Sequence, residues 1–248
     1  NKTYITKCIN SIENYNKDNE KYDYASVNPP FGSNTVIQDE KILENYVLGK
    51  NKKKQEIGIL FIERTINLVK NNGIIFIILP NGYLGNSNNN MTELRKYLLS
   101  FRILSILELP NNSFSRSGTG VSTSLLILQK TKTTESYDIF IKKIENIGYI
   151  LNKKNTPFKY KIDKGNYILK DNKLILDNDF YTCMDKFSDF IIKNKITNIN
   201  ISDNFNNKKI YDYDIVSTKH LDTKYILDIK RYLSYYKNTI TYCIKNNF

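Results

Sequence analysis

The chain has 248 residues, of which 40% are hydrophobic, so it is a globular chain with enough apolar side chains for one sizeable core. Its formal net charge is +12. The positive charge favours a polyanionic partner such as nucleic acid. No apolar stretch approaches the roughly 18 to 20 residues of a membrane span, and the first ten residues lack the apolar core of a signal peptide. We therefore expect a cytoplasmic protein without a membrane partner.

Cysteine and histidine are scarce in this chain. Its three cysteines, Cys8, Cys183 and Cys243, are far apart and form no CxxC pair, which indicates neither a metal site nor a disulfide framework. The single histidine is His220, so there is little room for imidazole-based metal or triad chemistry. Catalysis by this chain would need other groups.

Strand and helix signals alternate in the first half of the chain. The stretch YDYASV at 22–27 predicts a buried strand, which must end before Pro29 because proline lacks the N–H that the ladder needs. An apolar stripe that begins at Ile57 predicts a helix that the Asn-Gly pair at 72–73 stops. The continuous apolar run IIFIILP at 74–80 predicts a parallel strand covered on both faces.

The pattern continues with one more helix and two strands. Asn90 and Glu93 resemble a capping box, and the apolar stripe behind them predicts a helix to about Phe101. ILSILEL at 103–109 and VSTSLLILQ at 121–129 predict two strands that no helix separates, so they should be antiparallel. The alternation predicts an α/β domain whose mostly parallel sheet ends in an antiparallel hairpin.

Beyond Thr131 the pattern is less regular, which predicts a small, irregular α+β region. Short strand-like pieces come first, and YTCMDKFSDFIIKN at 181–194 predicts a helix. The asparagine-rich stretch ITNINISDNFNNKK at 196–209 predicts a linker, and a second unit is expected to start near Ile210.

The motif NPPFG at 28–32 follows the first strand, and ligands bind at the carboxyl ends of strands in open α/β sheets. The exocyclic amine of a base is a poor nucleophile until acceptors hold its two hydrogens and draw the nitrogen towards tetrahedral geometry. An Asn side-chain oxygen and a carbonyl fixed by proline are such acceptors, and an aromatic ring offers a face to a base removed from its stack. The alternative is a rigid turn, since proline and glycine are common in turns.

YDYASVNPPFG resembles the catalytic motif of adenine-specific DNA methyltransferases, in which Asn/Asp-Pro-Pro-aromatic binds the target amine. The resemblance extends over about Thr3 to Lys130, where several blocks follow the order seen in modification subunits of type I restriction systems and their fused relatives. KIENIGYILNKKNTP at 143–157 is also similar to that group. The resemblance implies a partial Rossmann-like methyltransferase domain that acts within a restriction-modification system.

The resemblance also implies roles for individual residues. Asn28 would accept one hydrogen bond from the target amine through its side chain, and Pro29 would accept the other through its carbonyl. Pro30 would shape the loop, and Phe31 would stack on the flipped adenine. Phe114 matches the position of a second aromatic on the other face of the base; the alternative is a loop phenylalanine packed under the hairpin.

The methyl donor implied by the resemblance is S-adenosylmethionine, which these enzymes hold with a glycine-rich turn upstream of the motif. Asn10 would lie near the adenine of this cofactor, and Asn28 would also contact the cofactor. The 27 residues before Asn28 do not include the glycine-rich turn. GTG at 118–120 does not replace it, because GTG leads into a strand. We therefore expect the chain to begin midway through the catalytic domain and to need an upstream segment or partner subunit.

The resemblance implies that double-stranded DNA is the partner and that a specificity subunit or domain selects its sequence. STKHLDTKYI at 217–226 resembles the Arg-Leu-Asp-x-x-Tyr opening of target-recognition regions, with His220 in place of Arg. The resemblance thus divides the chain into four expected regions. These are the C-terminal part of the methyltransferase domain (1–130), a methyltransferase extension (131–193), a linker (194–209) and the start of a target-recognition-like region (210–248).

Two further matters stay open at the level of sequence. Lys52, Lys53 and Lys54 either contact DNA phosphates or form a solvated lysine run. The chain as a whole could instead be a protein glutamine methyltransferase, since these enzymes use similar NPPY-type sequences, or a non-catalytic DNA-binding or scaffold remnant.

Overall fold

A computed structural model describes residues 10–30, 35–111, 113–114, 120–151, 157–197, 199, 214–229 and 232. In chain order the strands are β1 (Tyr22–Val27), β2 (Val36–Ile37), β3 (Gln55–Glu56), β4 (Val69–Pro80), β5 (Phe101–Glu108), β6 (Thr123–Lys132), β7 (Asp138–Lys143), β8 (Ile162–Asp163), β9 (Asn166–Tyr167), β10 (Leu169–Lys170), β11 (Lys173–Leu174) and β12 (Asp214–Ser217). The helices are α1 (Glu40–Leu43), α2 (Ile57–Leu68), α3 (Asn81–Gly85), α4 (Asn89–Leu99) and α5 (Phe180–Lys193), and a 3-10 turn spans Thr218–His220.

Six strands form the main sheet in the order β1-β4-β6-β5-β7-β12. β1, β4, β5 and β7 run in one direction, and β6 and β12 run in the other. The α/β class, the predominance of one strand direction and the antiparallel β5–β6 hairpin are confirmed. The hairpin lies inside the sheet and not, as predicted, at its end, because β6 inserts between β4 and β5. Hydrophobic runs do not record this order, because both faces of β6 are apolar.

The core lies on both faces of this sheet. One face packs against α2 and α4, with Ile77, Ile103 and Leu126 among the buried strand residues. The other face packs against α5, where Phe187 and Phe190 contact Phe140 of β7. A smaller cluster packs Ile12, from the segment 10–20, against Leu43, Tyr46 and Leu60. Within the part of the chain that the structure describes, no helix is long and apolar enough to cross a membrane.

Two predicted boundaries are wrong by a few residues. α2 ends at Leu68 instead of at the Asn-Gly pair, because β4 already begins at Val69 and contains an irregularity where Asn72 adopts a positive φ of 65°. The N-cap of α4 is Asn88, whose side chain accepts from the N–H of Met91 at 2.8 Å. The predicted capping pair two residues later has another role, described below.

Candidate active site at the carboxyl edge of the sheet

The Asn-Pro-Pro motif lies at the carboxyl end of β1, as its sequence position predicts. Val27, the last residue of β1, pairs with Ile77 of the parallel strand β4. The Asn28 side chain is exposed, Pro29 is buried and Pro30 is exposed. Asn28 is therefore accessible to solvent at the edge of the sheet, and the proline that follows it is covered.

The first turn of α2 supports this motif from one side. A Cβ atom placed on Gly58 would lie 2.9 Å from the carbonyl oxygen of Pro30 and 2.8 Å from the hydroxyl of Tyr83. Real Cβ atoms do not approach other atoms so closely, so only glycine permits this packing. The apolar pattern of the sequence does not single out Gly58, although a glycine within a predicted helix costs about 1 kcal/mol relative to alanine and so signals a packing reason.

Tyr83 is the second support that the sequence did not indicate. Its hydroxyl donates to a carboxylate oxygen of Glu56 at 2.9 Å, and the side chain is buried. Burial, together with the neighbouring Glu56 carboxylate, raises the pKa of Tyr83 above its ordinary value, so the hydroxyl keeps its proton and acts as a donor. This hydrogen bond links α3 to the residue that precedes α2.

The lysine run between α1 and β3 is partly engaged within the chain. The Lys52 ammonium donates to Asn90 at 2.6 Å and forms an ion pair with Glu93 at 2.7 Å. Asn90 also exchanges hydrogen bonds with the buried amide of Gln55, at 3.0 Å in each direction. Lys53 and Lys54 are exposed. The phosphate-binding role of all three lysines stays a prediction.

Phe114 lies in the loop between β5 and β6, at the same edge of the sheet as Asn28. Its side chain is half-buried. The ends of this loop are tied to the sheet: the N–H of Leu109 donates to the carbonyl of Thr123 at 3.0 Å, and the hydroxyl of Ser124 donates to Asn81 at 2.8 Å. Phe31 falls outside the described residues, so the opposed pair of aromatic rings remains a prediction.

Asn10 lies in the segment that packs over α2. Its side-chain oxygen accepts from the N–H groups of Ile12 and Glu13 at 3.2 and 3.4 Å, so it caps its own turn. The buried Arg64 holds the same segment, and its Nε donates to the carbonyl of Ser11 at 3.0 Å. A contact between Asn10 and a cofactor is not tested by these contacts and stays a prediction.

A buried carboxylate next to Arg64 fixes the chain that leads from α1 towards β3. Glu63 is fully buried and accepts from the N–H groups of Val47 and Leu48 at 2.7 and 2.8 Å. Burial raises the pKa of Glu63, and the two main-chain hydrogen bonds offset part of that rise. Across the described ranges, no cluster of three or more His, Cys, Asp or Glu residues is arranged to hold a metal ion.

Together, the fold and this edge define an α/β protein whose candidate site presents an amide and two prolines at the end of a strand. The family described as N-6 DNA Methylase matches residues 3–234, and the chain belongs to this family. This match confirms the resemblance found in the sequence. None of the curated proteins matches the chain.

Two solved structures are similar in fold. One comes from work on complex assembly and conformational transition of the type I R-M system; it has a TM-score of 0.57 and 14% identity, and covers 98% of this chain and 48% of that chain. The other is described as a modification subunit of a type I restriction enzyme from Vibrio vulnificus YJ016; it has a TM-score of 0.51 and 17% identity, and covers 86% and 38% of the two chains. This chain therefore spans less than half the length of either one.

Proposed function

We propose that this chain carries the target-amine site of an enzyme that methylates the exocyclic amine of adenine in double-stranded DNA, within a restriction-modification system. The observation that supports this most strongly is the exposed Asn28 amide at the carboxyl end of β1, followed by two prolines, in a member of the N-6 DNA methylase family. A specificity subunit or domain would select the DNA sequence.

In this proposal the motif acts by holding the amine. The Asn28 side-chain oxygen and the Pro29 carbonyl accept its two hydrogens, which draws the nitrogen lone pair out of conjugation with the base. The proline rings limit the φ angles of the motif, so little entropy is lost when the amine binds. Phe31 and Phe114 would stack on the two faces of the flipped adenine.

S-adenosylmethionine would supply the methyl group, and in this proposal most of its site lies outside the described residues. The side-chain oxygen of Asn10 accepts hydrogen bonds within its own turn, and the only Gly-x-Gly in the sequence, GTG at 118–120, stands shortly before β6, which begins at Thr123. We propose that an upstream segment or a partner subunit holds most of the cofactor, with Asn28 at its border.

The edge of β1 is a suitable place for that segment or subunit to dock. β1, predicted to be a buried strand, is instead the outermost strand of the described sheet, and Tyr22 and Tyr24 on it are 43% and 59% exposed. An exposed strand edge presents unpaired main-chain groups that can pair with another strand.

Isothermal titration with S-adenosylmethionine tests the proposal that most of the cofactor site lies on that segment or subunit. The chain alone should show no micromolar binding, and such binding would contradict this part of the proposal.

Methyl transfer by the natural assembly tests the proposed function. Labelled methyl groups should enter the adenines of duplex DNA, and Asn28→Ala should lower turnover by on the order of 10²–10³-fold, the usual cost of one lost transition-state hydrogen bond. DNA affinity should change little, because it comes mostly from phosphate contacts. Asn71→Ala, an exposed asparagine at the opposite edge of the sheet, is the matched control.

Three results would contradict the proposal. Near-normal turnover of Asn28→Ala would remove the motif from the reaction. Label in a protein glutamine, with none in DNA, would favour the protein methyltransferase. Binding of DNA without any methyl transfer by the wild-type assembly would favour the scaffold.

A further inference from the structure

The segment between β7 and α5 forms an arm, defined here as the described residues 147–151 and 157–178. The chain enters it from the carboxyl edge of the sheet, because β7 is parallel to β5 and the N–H of Ile144 donates to the carbonyl of Glu108 at 2.8 Å. One carboxylate oxygen of Asp179 accepts from the N–H groups of Glu145 and Asn146, both at 2.8 Å, and closes the base of the arm. The arm thus starts at the same edge of the sheet as the Asn-Pro-Pro motif.

Local backbone geometry gives this arm a defined shape. The β8–β9 hairpin turns at Lys164 and Gly165, with φ of 47° and 85°, and the β10–β11 hairpin turns at Asp171 and Asn172, with φ of 51° and 59°. Two consecutive positive φ angles are typical of the tight type I′ turns that connect hairpins. Main-chain hydrogen bonds between residues 159–161 and 175–177 form the stem.

The arm carries a row of aromatic rings that contact one another. Ring centroids are 5.2 Å apart for Tyr149 and Phe158, 6.2 Å for Phe158 and Tyr160, and 6.2 Å for Tyr160 and Tyr167. Three of these side chains remain well exposed, Tyr149 at 41%, Phe158 at 55% and Tyr167 at 60%. A contiguous exposed apolar surface of this kind usually marks a binding site.

The same arm is basic. Its residues 157–178 contain five lysines and three aspartates, and one of these lysines, Lys159, forms an ion pair with Asp177 at 2.8 Å. Lys170 and Lys173 lie directly opposite each other in the β10–β11 hairpin, and both are exposed. Like charges in a facing pair destabilise a hairpin. An anion bound between these two ammonium groups would offset their repulsion and so stabilise the hairpin. Apolar rings and paired lysines on one thin element match the chemistry of nucleic-acid surfaces.

We propose that the arm binds the DNA duplex beside the target base, with Lys170 and Lys173 on phosphates and the aromatic row against sugars in the minor groove. This inference rests on the proposed function for the position of the duplex. β7 is four strand spacings from β1 in the sheet, about 19 Å, or roughly six base pairs at about 3.4 Å each. A duplex that presents a base to Asn28 and continues along this edge would reach the arm.

The salt dependence of DNA binding by this chain tests the lysine contacts. A labelled duplex is titrated in fluorescence anisotropy at several salt concentrations with wild type and with Lys170→Ala/Lys173→Ala. The slope of log K against log salt should become shallower by about 2, since each phosphate contact contributes about 0.9. Lys70→Ala/Lys132→Ala removes the same charge at the opposite edge of the sheet and should keep the wild-type slope.

A second variant tests the aromatic row independently. Phe158→Ala/Tyr167→Ala should weaken duplex binding by about tenfold with an unchanged salt slope, because stacking and apolar contacts do not release counterions. Thermal melting of each variant checks that the core is intact. In the natural assembly both arm variants should raise the KM for DNA and leave kcat unchanged, whereas Asn28→Ala lowers kcat.

Two outcomes would overturn the inference. If wild type and both arm variants bind duplex with equal affinity and slope, the arm is not a DNA contact, and the proposed methyl transfer stands unaffected. If the arm variants keep their DNA affinity and instead lose binding to a protein subunit of the assembly, the surface belongs to a protein partner.

Discussion

The carboxyl edge of this protein carries two regions built in opposite ways. The motif that starts at Asn28 is supported from behind by buried groups, including the ring of Pro29 and the hydroxyl of Tyr83 close to Gly58. In the arm, every residue from 162 to 174 is exposed. A group that activates an amine must be held in one geometry, whereas a surface that grips a polymer needs only charge, apolar contact and access.

This contrast predicts that substitutions behind the motif reduce stability or turnover, whereas substitutions in the arm reduce affinity alone. The predictions below run from the largest expected change to the smallest.

Arg64→Met should cause the largest loss, about 3 kcal/mol in the free energy of unfolding. Arg64 is buried and donates to the carbonyls of Ser11 and Lys17 and to the side chain of Asn19, and methionine leaves these acceptors without their donor. Urea denaturation measures the change. Lys17→Met replaces an exposed side chain and should stay within about 0.5 kcal/mol of wild type, and equal losses for the two variants would contradict the assignment.

Gly58→Ala should cost about 2 kcal/mol, because its Cβ would displace the Pro30 carbonyl or the Tyr83 hydroxyl. The same displacement should lower the turnover of methyl transfer in the assembly. Gly82→Ala is the matched control, since a Cβ there meets no atom within 4 Å, and it should be neutral or slightly stabilising. Normal turnover in Gly58→Ala would show that the motif does not depend on this packing.

Tyr83→Phe should destabilise the fold by about 1.5 kcal/mol, the value of a hydrogen bond to a charged group, because Glu56 loses its donor. Tyr167→Phe in the arm removes a hydroxyl from an exposed ring and should change unfolding by less than about 0.5 kcal/mol. Chemical denaturation of the pair compares the two regions with the same chemical change. A cost for Tyr167→Phe as large as that for Tyr83→Phe would remove the contrast.

Cys183 reports whether α5, which follows the arm, is as firmly packed as the support of the motif. Burial raises the pKa of its thiol to about 11, so in a Cys8→Ser/Cys243→Ser variant it should react with a disulfide reagent at pH 8 far more slowly than after unfolding. Its folded pKa is raised, so its contribution to stability is complete below about pH 9 and is lost as the pH rises towards 11. Rapid labelling of the native variant would show that α5 opens together with the arm.

Much of the site was predictable from sequence because its signals are local. Proline cannot continue a strand, so the end of β1 and the position of Asn28 followed from the residues themselves. The hairpin pairing of β5 and β6 followed from the absence of a helix between two apolar runs.

Contacts between residues distant in sequence were not predictable in this way. The need for glycine at position 58 depends on the Pro30 carbonyl beside it, which is 28 residues away in sequence. The pairing of Lys52 depends on Glu93 of α4, which is 41 residues away. The shape of the arm likewise depends on a stem whose strands lie more than ten residues apart.

The sequence by itself determined the fold class, the family and the place of the motif at a strand end, because these follow from local backbone chemistry and apolar runs. Only the tertiary structure decided the place of β6 between β4 and β5, the buried support behind the motif and the arm at the same edge. These features arise when chain segments far apart in sequence compete for the same buried space and the same hydrogen-bond partners, and no local pattern records the outcome of that competition.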